Sequence, residues 1–183
     1  MATHLFCLEY VNNTNIQFNS VILPALEQLS LQYGVTNVYQ VCDDIETFEE
    51  RLGNLLYEDR NFQDYELLYF VFQGQNNQLI LDDYNYSLEE IAEFFEGKLK
   101  GKKVHFANTM LLDLEEETFQ YFLDITAAQS ISGYVNQVPL LSTVLDNLFF
   151  SICQEYDDVV DIVEELFEKQ YNLAKSMGFR LYY

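Results

Sequence analysis

Apolar residues in this chain follow two rhythms in turn: short, nearly continuous runs, and longer stretches that repeat about every 3.6 residues. His4 to Tyr10 is the first run and reads as a strand; Asn12, Asn13, Asn15 and Asn19 then make a polar loop. Ser20 to Tyr33 reads as a helix with Val21, Ile22, Ala25, Leu26 and Leu29 on one face. Pro24 falls in its first turns, and Gly34 can end it. Val35 to Val41 is a second strand. Asp43 or Asp44 caps the next helix, in which Ile45, Phe48, Leu52, Leu55 and Leu56 keep the helical period. Glu66 to Phe72 is a strongly apolar third strand. Gln73, Gly74, Gln75, Asn76 and Asn77 follow as a turn, and Gln78 to Leu81 as a short extended piece.

Ser87 and Glu90 have capping-box spacing before a helix carrying Leu88, Ile91, Phe94 and Phe95, and Gly97 and Gly101 flank its exit. Lys103 to Ala107 is a fourth strand, and Gln129 to Tyr134 a fifth. Between them Glu115 to Asp124 reads as a helix with acids in its first turn, where the dipole favours them. Pro139 opens a helix through Ile152, a further helix runs from about Asp158 to Met177, and Phe179 to Tyr183 closes the chain as a sixth strand. Such strand–helix alternation means parallel strands joined by right-handed crossovers, with helices on both faces of the sheet. The continuous apolar runs agree with strands buried on both sides. With two prolines, no low-complexity linker and no repeat, residues 1–183 read as one domain.

Charge changes the picture next. Lys and Arg number 9 against 30 Asp and Glu, a formal charge of −21 spread over the whole chain. That field repels nucleic-acid phosphates and anionic lipid, so neither nucleic acid nor membrane is an expected partner; it reads first as a solvated acidic surface and, as the sharper alternative, as one that docks on a basic partner. No apolar run reaches the ~20 residues of a spanning helix, and no signal peptide follows Met1. Cys7, Cys42 and Cys153 are sparse, odd in number and form no CxxC pair, which suits a reducing, cytoplasmic compartment.

Open α/β sheets collect their sites at the carboxyl ends of the strands. Here those ends are Glu9-Tyr10, Cys42-Asp43, Gln73-Gly74, Asn108-Thr109 and Ser132-Gly133-Tyr134. Together with the segments Leu67 to Gly74, Lys103 to Thr109, Ile131 to Tyr134 and the closing Gly178 to Tyr183, this layout resembles the caspase-like superfamily of cysteine peptidases, bacterial single-domain and CHAT-type members included. The resemblance implies a three-layer α/β fold with a six-stranded, mainly parallel sheet and an antiparallel last strand. In that superfamily the third strand ends in His-Gly and the fourth in a short run holding the nucleophilic Cys. Gln73-Gly74 and Asn108-Thr109 stand there in this chain, so both members of the dyad are replaced. Gln has no titratable proton near neutral pH and cannot act as general base. An internal Thr lacks the free amine that activates N-terminal threonine nucleophiles. The resemblance therefore implies an inactive cysteine-peptidase homologue with degenerate dyad positions Gln73 and Thr109. Gln73, Gly74, Asn108, Thr109, Ser132, Gly133 and Tyr134 would line its candidate cleft.

The remaining chemistry-bearing residues offer no replacement dyad. His105 is mid-strand, where a histidine is expected hydrogen-bonded under a helix; His4 is at the amino end of the first strand. Cys7 and Cys153 fall on apolar faces, and Cys42 sits beside Asp43 and Asp44, which oppose a thiolate. Asp82, Asp83 and Asn85 have the oxygen donors of a hard-cation loop but not its twelve-residue pattern, and no cofactor motif or zinc spacing occurs. Three functions follow. The first is a non-catalytic protein that binds an unknown protein partner, in a regulatory or defence-linked setting. The second is an acidic inhibitor or immunity-type protein masking a basic toxin or nuclease surface. The third is a hydrolase with divergent chemistry at Gln73, Thr109 and Ser132.

Overall fold

Pleating sends successive strand residues to opposite faces, and the apolar runs of this chain fill both. In the third strand Leu68, Phe70 and Phe72 join one core, while Leu67, Tyr69 and Val71 join the other. In the first strand Phe6 and Leu8 divide from Leu5 and Cys7 in the same way. A sheet so patterned must be covered twice, and it is.

The computed structural model describes residues 3–11, 20–109, 112–136 and 142–183. In chain order the elements are β1 (His4–Tyr10), α1 (Ile22–Tyr33), β2 (Thr36–Cys42), α2 (Ile45–Gly53), β3 (Tyr65–Gln75), β4 (Gln78–Leu81), β5 (Tyr84–Ser87) and α3 (Leu88–Phe94). They continue with β6 (Lys103–Thr109), α4 (Glu116–Thr126), β7 (Ser130–Tyr134), α5 (Ser142–Ile152), α6 (Val159–Met177) and β8 (Phe179–Tyr182). The main sheet runs β2-β1-β3-β6-β7-β8, parallel except for the last pair. Helices α2, α3 and α4 pack on one face through Phe48, Leu52, Leu88, Ile91 and Phe122. Helices α1, α5 and α6 pack on the other through Leu26, Leu29, Leu145, Phe149, Phe150 and Ile162. The mainly parallel sheet, the antiparallel last strand and the two helical layers are as the sequence predicts.

Two differences concern the tip of β3. The strand does not stop at Phe72: it continues through Gln75, and Gly74 pairs with Leu79 of β4, antiparallel. The turn is confined to Asn76 and Asn77, both at positive φ (53° and 61°), the left-handed pair that a two-residue hairpin demands. Next, Tyr84–Ser87 forms a strand on β4, so the sheet has eight strands rather than six. The polar loop expected at residues 12–19 and the helix start expected at Pro139 lie outside the described residues.

Caps follow the sequence closely. Asp44 accepts from the Thr47 amide at 2.7 Å, and Ser87 from the Glu90 amide at 3.2 Å, each in a reciprocal capping box. Beyond α2 the chain widens to π-type pairing over Asn54–Glu58, with the Asp59 amide donating to the Asn54 carbonyl at 2.8 Å. Lys102, 4% exposed, donates through Nζ to the carbonyls of Phe62 at 2.8 Å and Tyr65 at 2.7 Å, tying the entry of β3 to the entry of β6.

Gly133 marks a close approach. A Cβ there would stand 2.6 Å from Leu112 Cδ2 and 3.0 Å from the Phe106 carbonyl oxygen. Gly53, helical and with nothing within 4 Å of its would-be Cβ, is the contrasting case. Gly133→Ala should lower stability by about 1–3 kcal/mol through overpacking. Gly53→Ala should raise it by about 0.5–1 kcal/mol through helix propensity. Urea unfolding of the two variants checks both signs.

Candidate functional site

The strand tips show which of the expected residues meet. Gly74 of β3 pairs with Thr109 of β6 across the parallel ladder, after a register shift that follows Val71. The backbones of Gln73 and Thr109, the positions at which the resemblance implies a dyad, therefore lie on adjacent strand ends, with Asn108 one residue back in β6. Gln73 is exposed and Gly74 buried. Asn77 of the hairpin turn donates to the Asp113 carbonyl at 3.1 Å and accepts from its amide at 3.0 Å, fastening the hairpin to the segment after β6.

The fifth-strand candidates behave differently. Ser132 is 1% exposed and Tyr134 0%, and Gly133 is buried against Leu112. Ser132 and Tyr134 face the core on the α5 side and Gly133 the opposite one, so none of the three lines an open cleft. The Asp82-Asp83 pair makes the turn between β4 and β5, where Asp82 holds positive φ and accepts from Tyr10 Oη at 2.9 Å.

Ser132 has a partner that sequence spacing does not reveal. Its hydroxyl lies 2.8 Å from His105 Nδ1, and His105 Nε2 lies 2.8 Å from Asp146 Oδ1 of α5. Tyr69 of β3 donates to Asp146 Oδ2 at 2.7 Å, and Tyr134 donates to Oδ1. Tyr69, Tyr134, Phe149, Phe150 and Phe179 surround the imidazole with their rings. The three residues have the composition of a Ser-His-Asp triad but reverse its wiring, since the hydroxyl of a working triad faces Nε2 and the carboxylate Nδ1. His105 and Asp146 are both 0% exposed. A buried carboxylate must be hydrogen-bonded, and this one collects donors from three strands and holds them to a helix.

The thiols are equally withdrawn. Burial, then Glu9 and Asp146, pushes Cys7 far up, away from the thiolate. Cys42, at the tip of β2, is pushed up to about 12 by burial, with Asp43 and Asp44 adding to the effect. Burial likewise raises Cys153 to about 12. His4 sits at the opposite end of β1, paired with Thr36. Among the described residues, no group of three or more His, Cys, Asp or Glu side chains could hold a metal ion.

These positions frame the comparison with known proteins. A family model matches residues 2–183, nearly the whole length. The chain belongs to DUF6642, a family of unknown function. None of the curated proteins matches it. Among solved structures it resembles the crystal structure of caspase-1 from Spodoptera frugiperda. The TM-score is 0.58 at 12% identity, over 99% of this chain and 85% of that one. A DUF6642 chain with a caspase-like fold is thus established; at that identity the likeness concerns the fold alone.

The buried network makes two predictions. Asp146→Ala strands three donors and should cost about 3–5 kcal/mol, read from denaturant midpoints. Burial first and Asp146 second raise both Tyr69 and Tyr134 well above the ordinary tyrosine value. The folded chain therefore keeps both protons where the unfolded chain releases them. Stability from this source is complete below about pH 10 and falls as pH rises further, by up to ~1.4 kcal/mol per pH unit for each tyrosine. Tyr69→Phe should be less stable at pH 7 yet show a slope above pH 10 shallower by about one proton.

Proposed function

We propose that this DUF6642 chain is a non-catalytic protein on a caspase-like fold, acting by binding another protein in a regulatory or defence-linked setting. One observation carries the reading. The chain has two histidines and three cysteines, and none of the five stands at the paired tips of β3 and β6. His105 is spent inside the core on Asp146 and Ser132, and His4 is at the far end of β1. The tips carry Gln73 and Thr109 instead, which supply neither a proton acceptor nor an activated nucleophile. General-base assistance is typically a factor of about 10²–10⁴, and Gln supplies none of it. The burial of Ser132 also weighs against a divergent hydrolase built on that residue. Three free, buried cysteines suit a reducing cytoplasm, and no helix among the described residues is long and apolar enough to cross a membrane.

The net charge of −21 favours a second, compatible reading, an inhibitor or immunity-type protein that masks a basic surface. Its mark is salt dependence, since surface charge pairing is screened over about 10 Å at 0.1 M salt.

The catalytic question is tested on a panel of fluorogenic peptides. Wild type, Thr109→Ala, Thr109→Cys and Gln73→His should all be silent, because each lacks a base, a nucleophile or both. The double variant Gln73→His with Thr109→Cys is the only one expected to turn over, and slowly. Wild-type cleavage that Thr109→Ala abolishes would sink the reading.

A further inference from the structure

A cavity of about 600 Å³ opens where α2, β5 and α3 meet, and no strand-tip residue lines it. Its walls are aromatic. Tyr84 and Tyr86 stand edge to face with ring centroids 4.7 Å apart, and Phe94 meets Tyr86 at 6.0 Å. Its rim is acidic. Tyr86 donates to Glu49 Oε1 at 3.1 Å and Tyr84 donates to Glu90, so each ring holds a carboxylate at the mouth. Glu93 adds a third, exposed, whose carboxylate has no hydrogen bond or ion pair to any described residue. Neither lysine nor arginine lines the cavity.

Aromatic faces and carboxylates with no basic side chain beside them in the cavity select the same occupant, an organic cation. The ring faces attract it through their quadrupoles, and the carboxylates through charge and hydrogen bonds. Anionic ligands and a second copy of this chain, at −21, are repelled. The volume lies in the range of pockets that enclose a ligand group. A planar guanidinium matches the site better than an ammonium, because it stacks on tyrosine while forking to carboxylates.

We propose that this cavity receives an arginine side chain from a basic segment of a protein partner. The cavity stands on its own geometry; that its occupant belongs to a protein rests on the interaction reading above. The site is built from α2, β5 and α3, so it would survive whatever has become of the strand tips.

The test is an amide NMR titration of the intact chain with the capped tripeptide Gly-Arg-Gly, its citrulline isostere, and free agmatine. The arginine peptide should give saturable shifts at residues 45–49 and 84–94. The neutral isostere should give none there. Tyr84→Ala and Glu93→Gln should each weaken binding by about threefold to tenfold. Both residues are exposed enough for the rest of the spectrum to stay unchanged, and Glu93→Gln keeps the test sharp should Tyr84→Ala unfold. Absent saturation at these residues, or equal binding of citrulline, overturns the proposal. Agmatine binding tenfold more tightly than the peptide overturns the partner side chain in favour of a free amine. Mass spectrometry of the same samples separates the two readings. Cleaved peptide would bring down the non-catalytic reading with the cavity intact, whereas whole peptide without shifts would bring down the cavity alone.

Discussion

A carboxylate placed in an apolar interior is tolerable only when its oxygens are filled with donors, and that constraint organises one half of this molecule. Asp146 enters from α5 and is met by Tyr69 from β3, His105 from β6 and Tyr134 from β7. Three adjacent strands and a helix separated from them by long stretches of chain are thereby fixed to one point. Ser132 extends the network through the second imidazole nitrogen, and the rings of Phe149, Phe150 and Phe179 exclude water around it. Apolar side chains of similar volume could fill this space at no loss of stability. What the polar group adds is a register: an α5 shifted by one turn would part Asp146 from all three of its partners.

The same arrangement bears on function. Residue types that do chemistry elsewhere are drawn inward here. The buried histidine, the serine beside it and the cysteines on both faces of the sheet pack as core. Apart from Asp146 and Glu9 the acids stay at or near the surface, and among described residues only Lys169 and Glu165 form a Lys–carboxylate bridge. The aromatic cavity between α2, β5 and α3 gathers three of those acids, Glu49, Glu90 and Glu93, on a shaped surface.

Much of this was legible in the sequence, and the exceptions have physical causes. Each helix has an apolar stripe or a capping box, and β1, β3 and β7 are apolar enough to announce two-sided burial. The end of β3 was not legible, because Gln73 and Gln75 alternate with a glycine and read as a turn while their backbone pairs on as a strand. β5 is four residues long with only Tyr86 well buried, too short and polar for a period-2 signal. The positions of Gln73 and Thr109 could be inferred from the resemblance, and their backbone adjacency is seen in the ladder. Ser132 and Tyr134 were expected at an open tip, since the run Ile131 to Tyr134 says nothing of α5 and β8 closing over it. The link from His105 to Asp146 spans 41 residues and two kinds of element, and the aromatic cavity joins three elements; neither leaves a local pattern.

The most direct measurement is the reactivity of the native thiols. A cysteine peptidase of this fold must present a thiolate at a strand tip, whereas here all three thiols are buried and raised. Intact-mass spectrometry after iodoacetamide treatment near pH 8 should find the folded protein unmodified over a period in which the urea-unfolded protein takes up three adducts, one at each cysteine. A single rapid adduct on the folded protein, at Cys42 on the tip of β2 above all, would contradict the proposed non-catalytic reading.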